Sequence, residues 1–567
     1  MSSIVKDEGR VDSATDLENV GGQRNGISTS STPGEQGEEA KPSERKPLSF
    51  HISFLAINMM VLMVSLDATA LAVAIPVITQ DLKGTTLEAF WASLSFLLTV
   101  AVFQPIYTTL SEVFGRIGPL YSTFAWFVAG SIIFATAQSM PVLIVGRIFQ
   151  GIGAGGLDVL SDIILVDMTT LKERPMYLGL FAIPLAAGTI IGPIIGALFT
   201  EYATWRWLGW INLPISAVNF GLIAIFLRLK PIERTLKEKM LRLDWIGMLL
   251  FGVGCTAFAS PLSWAGAMFP WGAWQTILPL IIGFFVLVVF GLYERGIFGK
   301  APVEPIFPTR IFDQSTASIT LVSSFFHGAV IYSGIFYLPL FFQAVYLETP
   351  LKSAVSILPL CCTCVGLSVI SGVAVEIVRK YRWGIIVSWA ITAVGCGLIA
   401  LWDRDSSLAM TSGVQVLIGF GIGPFFSLLL LPIQASVTNI DDSGIAAGVL
   451  VSFRLFGGLI SLSMCSTIFS NVFSEQIATL GQLPEPVNVL MDVKTAIEFV
   501  PMLHHLSLPP ILMSGVVDAY RKGLIAIFLL LAGFSTLGFL TSFFIKEQSI
   551  ESVELGRQQM VKEEKSS

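Results

Sequence analysis

Fourteen long apolar runs constrain this chain more than any other feature. They lie at 51–78, 88–110, 118–137, 142–167, 176–200, 207–228, 243–264, 274–293, 314–343, 353–376, 382–402, 410–435, 443–474 and 522–545. Each has about the 20 residues needed to cross the hydrocarbon of a bilayer. Lipid offers no water to an open backbone, so each run is expected to be a helix. Only 13% of the 567 residues are charged and 53% are hydrophobic; soluble domains carry about 25% charged residues. The chain therefore reads as an all-α, multi-pass membrane protein with the lipid bilayer as its standing partner. No basic patch suggests nucleic acid.

Lys and Arg orient the helices, because positive loops stay in the cytoplasm. With the N-terminus inside, fifteen Lys and Arg fall in the inner loops, six of them between Arg228 and Arg242, against seven in the outer loops. Both termini are thus expected to be cytoplasmic. Residues 1–47 are rich in Ser, Gly and Glu and read as a disordered tail; residues 546–567 form a second one. The six cysteines, "CCTC" at 361–364 included, all sit in apolar runs and read as packing residues rather than as a metal site.

The stretch "GIGAGG" at 151–156 fits a dinucleotide-binding glycine pattern, but that chemistry needs a strand before it. Here the run lies within the fourth span. On a helical projection Arg147, Asp158 and Asp162 share one face with Gly151, while Gly153 and Gly156 fall opposite. The reading is a polar face turned to something wet and a glycine face that lets a neighbouring helix come close. "GFGIG" at 419–423, in the twelfth span, echoes "GIGAG" at 151–155. Two six-helix halves with two helices inserted between them would place the repeat there, and internal repeats mark secondary transporters.

These residues also carry a family resemblance over roughly residues 50–545. "RIFQGIGAGG" from Arg147 resembles the fourth-helix motif of the major facilitator superfamily. "GTIIGPIIGA", Gly188 to Ala197, is similar to its antiporter motif, with Ala197 for the last glycine. "LDATALAVAIP" from Leu66, "TWRWLGWINLPIS" from Thr204, "LDWIGMLLF" from Leu243 and "FYLPLFFQAVYLETP" from Phe336 resemble segments of the fourteen-span drug:proton antiporters, the fungal multidrug and toxin efflux transporters in particular. The gate motif after the second helix is degraded: "TTLSEVFGRI" keeps Gly115 and Arg116 but has Thr108 for a glycine, Glu112 for an aspartate, and Val113 and Ile117 for basic residues.

The resemblance implies a major facilitator fold of two six-helix bundles, 48–230 and 311–545, with two linker helices in 231–310 and a long outer loop at 475–521. It implies efflux of small organic molecules driven by a proton gradient, without cofactor or metal, by a monomer in the cell membrane or, alternatively, the vacuolar membrane. Within it, Asp67 and Arg147 become candidates for proton coupling, and Gly188, Gly192, Pro193 and Gly196 form the antiporter stripe. Glu112, Gly115 and Arg116 make a cytoplasmic gate, there weaker than usual. Asp158 and Asp162 rest on helix geometry alone, as contacts for proton or substrate.

Other residues have blander readings. Asp167 is expected in a surface network with Lys172 and Arg174, Arg454 to snorkel to the inner interface, and His327 to be a hydrogen-bonded structural residue. Most aromatics near it, from Phe325 to Phe342, are expected to face lipid or neighbouring helices. "VNVLMDVKTAIEFVPMLHHL" in the outer loop suits an amphipathic helix lying on the membrane. Competing functions are a proton-coupled transporter of a defined solute, such as a siderophore or basic amino acid, and a nutrient receptor that no longer transports. The short tail after Lys546 and the short basic loop at 228–242 disfavour the receptor. No nucleophile–base pair or metal cluster suggests an enzyme.

Overall fold

Each apolar run closes its own backbone hydrogen bonds as a helix, as lipid requires. The computed structural model describes residues 46–551, apart from 85, 233, 266–268, 299–302, 438, 440–441, 486, 493–494, 504–505 and 507. The tail expected at 1–47 and residues 552–567 of the second tail lie almost wholly outside these. Among the described residues, fourteen helices are long and apolar enough to cross a membrane. The first half holds α1 (Leu48–Asp81), α2 (Thr86–Phe114), α3 (Ile117–Ala135) and α4 (Met140–Met168), then α5 (Arg174–Tyr202) and α6 (Trp207–Phe226). After α7 (Trp245–Trp264) and α8 (Trp274–Glu294) come α9 (Ser315–Val345), α10 (Leu351–Val378), α11 (Arg382–Leu401), α12 (Leu408–Ala435), α13 (Ser443–Ala478) and α14 (Pro510–Ser542). Helix α5 is interrupted at Phe181 and α12 just before Pro424.

The helices pack in matching pairs: α1 on α5, α2 on α4 and α3 on α4 in the first half, with α9 on α13, α10 on α12 and α11 on α12 in the second. The glycine echo shows why. Gly151 and Gly155 lie against the backbone of α2 at Phe96 and Val100, and Gly153 against α3 at Thr123 and Phe127. Gly419 and Gly423 lie against α10 at Leu360 and Cys364, and Gly421 against α11 at Ser388 and Thr392. One i, i+2, i+4 pattern thus lets a central helix touch two neighbours at once. Where the repeat places Arg147 in the first half it places Gln415 in the second, so the charge is confined to one half.

Helices α7 and α8 pair with each other, and α7 also touches α2 and α13. Only 17% of the most apolar window of α8 is buried inside the protein. It is an outer helix, with Phe284 and Phe285 turned outward.

Two expectations for the last outer loop are corrected. Helix α14 begins at Pro510, so Arg521 and Lys522 lie on the helix, both paired with Asp518 at 2.8 and 3.2 Å. The segment before it forms a turn at Val487–Met491 and a short helix at Ala496–Leu503. Val487, Leu490, Val500 and Leu503 are buried in the core of the second half, and Tyr520 donates to the Ala496 carbonyl at 2.5 Å. The apolar face packs on protein rather than on a membrane surface. On the face where α1 begins and α14 ends, Glu547 accepts from the Tyr381 and Arg382 amides at 2.9 and 3.0 Å, capping the start of α11.

Candidate functional site

Asp67 is 6% exposed, in the middle of α1. Its Oδ2 accepts from Arg147 Nη1 at 2.7 Å, and its Oδ1 from Asn212 Nδ2 at 2.7 Å and Gln150 Nε2 at 3.3 Å. Ser131 takes hydrogen bonds from Gln150 at 3.0 Å and Asn212 at 3.3 Å. The Arg147 guanidinium also lies 4.1 Å from the Phe96 ring centre, a cation–π contact. Helices α1, α3, α4 and α6 therefore meet in one buried network, and the pair anticipated from sequence is formed. Its supporting donors were not anticipated. Gln150 stands within the "RIFQ" stretch and Asn212 within "WINLP", but nothing in either segment says which carboxylate the amide reaches.

The glycine stripe of α5 flanks this network. A side chain at Gly188 would strike Ser65 Oγ, one at Gly192 would strike Thr69 Oγ1, and one at Gly196 the Ala70 carbonyl. Thr69 Oγ1 donates to the Gly188 carbonyl at 3.1 Å. The helix carrying Pro193 thus touches α1 on both sides of Asp67.

Asp158 and Asp162 belong elsewhere. Eleven residues of helix, about 16 Å at 1.5 Å each, separate Asp158 from Arg147. Asp158 Oδ2 accepts from Gln104 Nε2 at 2.6 Å. Asp162 faces Arg454 Nη2 of α13 at 3.8 Å. The three charges line a cavity between the halves, walled by Val61, Phe181, Ile331, Tyr332 and Phe426 among others. Arg454 is therefore a cavity charge and not a snorkelling one, because two carboxylates on the facing helix offer it a partner nearer than the interface. A larger recess between α2, α7 and α8, lined by Trp91, Phe103, Met248 and Trp264, carries no charge.

His327 is 1% exposed, between the rings of Phe425 and Phe426. Its Nε2 has no hydrogen-bond partner, which corrects the expectation of a satisfied histidine. Of its aromatic neighbours in α9, Tyr337, Phe341 and Phe342 are buried in the core of the second half and Phe336 faces outward; Tyr332 reaches the cavity. Cys361 and Cys364 are buried and Cys362 is exposed.

The gate residues are buried rather than solvated. Arg116, fully buried, binds Glu112 at 2.6 Å, Asp167 at 2.8 Å and Ser111 Oγ at 2.8 Å. Asp167 is likewise buried and not part of a surface network. The sequence signal was missed because the acid that completes the clamp lies on α4, 51 residues on. Gly115 has φ +90°, a conformation that favours glycine and turns the chain from α2 into α3. The start of α13 closes over this cluster, since Gly444 lies against Arg116 and Glu112. Arg174 donates to Gln434 of α12 at 2.5 Å, and Arg310 forms a two-pronged bond to Asp442 at 2.7 and 2.8 Å. The hydrogen bonds to Asp442 hold the Arg310 guanidinium above its ordinary pKa.

Fourteen helices long and apolar enough to cross a membrane, in two matching halves with charged side chains between them, and no strand among the described residues, form the architecture of a membrane transporter. The Major Facilitator Superfamily model matches residues 57–462, and the chain belongs to that superfamily. It is 46% identical over 528 residues to the MFS-type transporter sphD of Aspergillus fumigatus, covering 93% of this chain and 90% of that one. It is 33% identical to the efflux pump FUS6 of Gibberella moniliformis, covering 92% of each. Among solved structures, the proton:xylose symporter XylE matches with a TM-score of 0.55 at 12% identity, over 89% of this chain and 98% of that one. This last likeness is one of fold.

Proposed function

We propose that the protein exports small organic molecules, such as drugs, toxins or secondary metabolites, in exchange for protons by alternating access. The buried Asp67–Arg147 pair, set against the glycine stripe of α5, carries this reading. A carboxylate deep in a membrane is costly unless paired. Protonating Asp67 would free Arg147 from it and alter how α1 meets α4 and α6. Such a change biases a conformational equilibrium only if the two states hold the pair differently; the close α1–α5 contact beside it is where a rearrangement would act. The efflux pumps among the relatives support the outward direction. On this reading the proton gradient is the only energy source, the termini are cytoplasmic, the membrane is the cell membrane and the transporter works as a monomer.

The test is transport by the purified chain in lipid vesicles with an imposed pH gradient, screened against cationic and neutral organic compounds. At least one compound is expected to move against its own gradient. Asp67→Asn is expected to abolish this uphill movement and to retain downhill exchange. Uphill transport by that variant with an unchanged pH profile would remove Asp67 from the coupling.

A further inference from the structure

We propose that Asp162, Arg454 and His327 form a second proton-binding site, placed between the two halves of the molecule. The inference rests on the reading of a proton-coupled transporter, but uses residues outside the Asp67 network. Asp158 and Asp162 come from α4 in the first half, whereas Arg454 from α13 and His327 and Tyr332 from α9 belong to the second. One guanidinium faces two carboxylates, so the cluster keeps one negative charge in excess unless it takes up a cation. A lone charge at this depth is costly, and a single proton removes it.

The geometry selects Asp162 as the acceptor. Asp158 is held by Gln104 at 2.6 Å, while Asp162 meets Arg454 only at 3.8 Å, beyond hydrogen-bond reach. Tyr332 lines the same cavity as Arg454. Behind Asp162 lies a small cavity of about 10 Å³, bounded by His327, Phe425, Phe426, Leu450 and Arg454. That is about the space of one water. His327, whose Nε2 is buried and without a protein partner, borders it. A water there could donate one hydrogen to Nε2 and the other to the Asp162 carboxylate. The proton would reach and leave Asp162 by way of this water, converting carboxylate to carboxylic acid with no change of oxidation state. Because the ion pair joins α4 to α13, its neutralisation loosens a tie between the halves.

Infrared difference spectra of the full chain in lipid vesicles test this without any substrate. Between about pH 5 and pH 8, the carbonyl band of a protonated carboxylic acid is expected to rise and fall. Asp162→Asn is expected to abolish the component that Asp67→Asn and Asp158→Asn leave in place. Arg454→Gln is expected to move its midpoint to higher pH by a unit or more, roughly the effect of one neighbouring charge, with Arg454→Lys near the native midpoint. His327→Phe is expected to move it the same way by less, and His327→Asn, which keeps a polar group, to restore it. A component that survives Asp162→Asn, or a midpoint indifferent to Arg454→Gln, overturns the site. If Asp162→Asn does not insert, the Arg454 series decides alone. A band that behaves as expected in a chain that shows no gradient-driven transport would keep the site and remove the proton-coupling reading instead.

Discussion

Asp67 is held by three donors from two other helices, and each compensates part of its buried charge. Removing one leaves the carboxylate less well paired, so uphill transport is expected to fall. Arg147→Ala should show the larger loss and Asn212→Leu a smaller one in the same sense, with Arg147→Lys closest to native. Breaking a buried pair costs about 3–5 kcal/mol, so Arg147→Ala is also expected to lower the thermal stability of the purified protein. Uphill transport that Asn212→Leu leaves unchanged would make that asparagine a packing residue. At this scale the sequence singled out Asp67 and Arg147, because charges are rare in apolar runs. It did not show Gln150, Ser131 or Asn212 as their partners, since polar uncharged residues are frequent in these helices and the pairing is made across helices.

The small-residue runs make their predictions at the scale of the helix. Gly192→Leu is expected to reach the membrane but not to transport, because its side chain would enter the space of Thr69 and the Leu66 carbonyl, 3.0 Å from the first added carbon. Native transport by this variant would reduce the stripe to composition. The matching crossing in the second half gives a second case. Gly421→Leu would crowd the Thr392 amide and the Ser388 carbonyl at 2.6 and 2.9 Å. Overpacking costs about 1–3 kcal/mol, and a lowered unfolding temperature in detergent would register it. The repeat between 151–155 and 419–423 was legible because glycine spacing maps directly onto helix contact. The outer segment was misread because an amphipathic helix looks the same in sequence whether its apolar face meets lipid or protein. Only the positions of Phe473 and Tyr520 in the core beside Leu490 and Leu503 decide which.

At the scale of the whole molecule, the face where α1 begins and α14 ends is shut by contacts between the halves. Gly448 of α13 lies against Thr108 of α2, with 3.0 Å from its would-be side chain to Thr108 Cβ. Disulfide Cβ atoms stand about 3.5–4.5 Å apart, so cysteines at both positions can join once the two helices part slightly. Oxidation of the pair is expected to stop transport, and reduction to restore it, if these surfaces must part in each cycle. Unchanged transport by the fully cross-linked protein would show that they do not.

The sequence by itself determined the number of helices, their all-α membrane character and the pseudo-repeat. Each follows from local rules: hydrocarbon thickness, backbone satisfaction and the spacing of small residues along one helix. It also carried the family motifs, and with them Asp67, Arg147 and the α5 stripe. Only the tertiary structure decided the partners of the charges. Asp167 reads as a surface residue until the turn from α2 into α3 brings Arg116 to it, and Arg454 as an interface residue until α4 sets Asp162 opposite. A buried charge is stable only through its partner, and here each decisive partner lies on another helix, tens to hundreds of residues away in the chain.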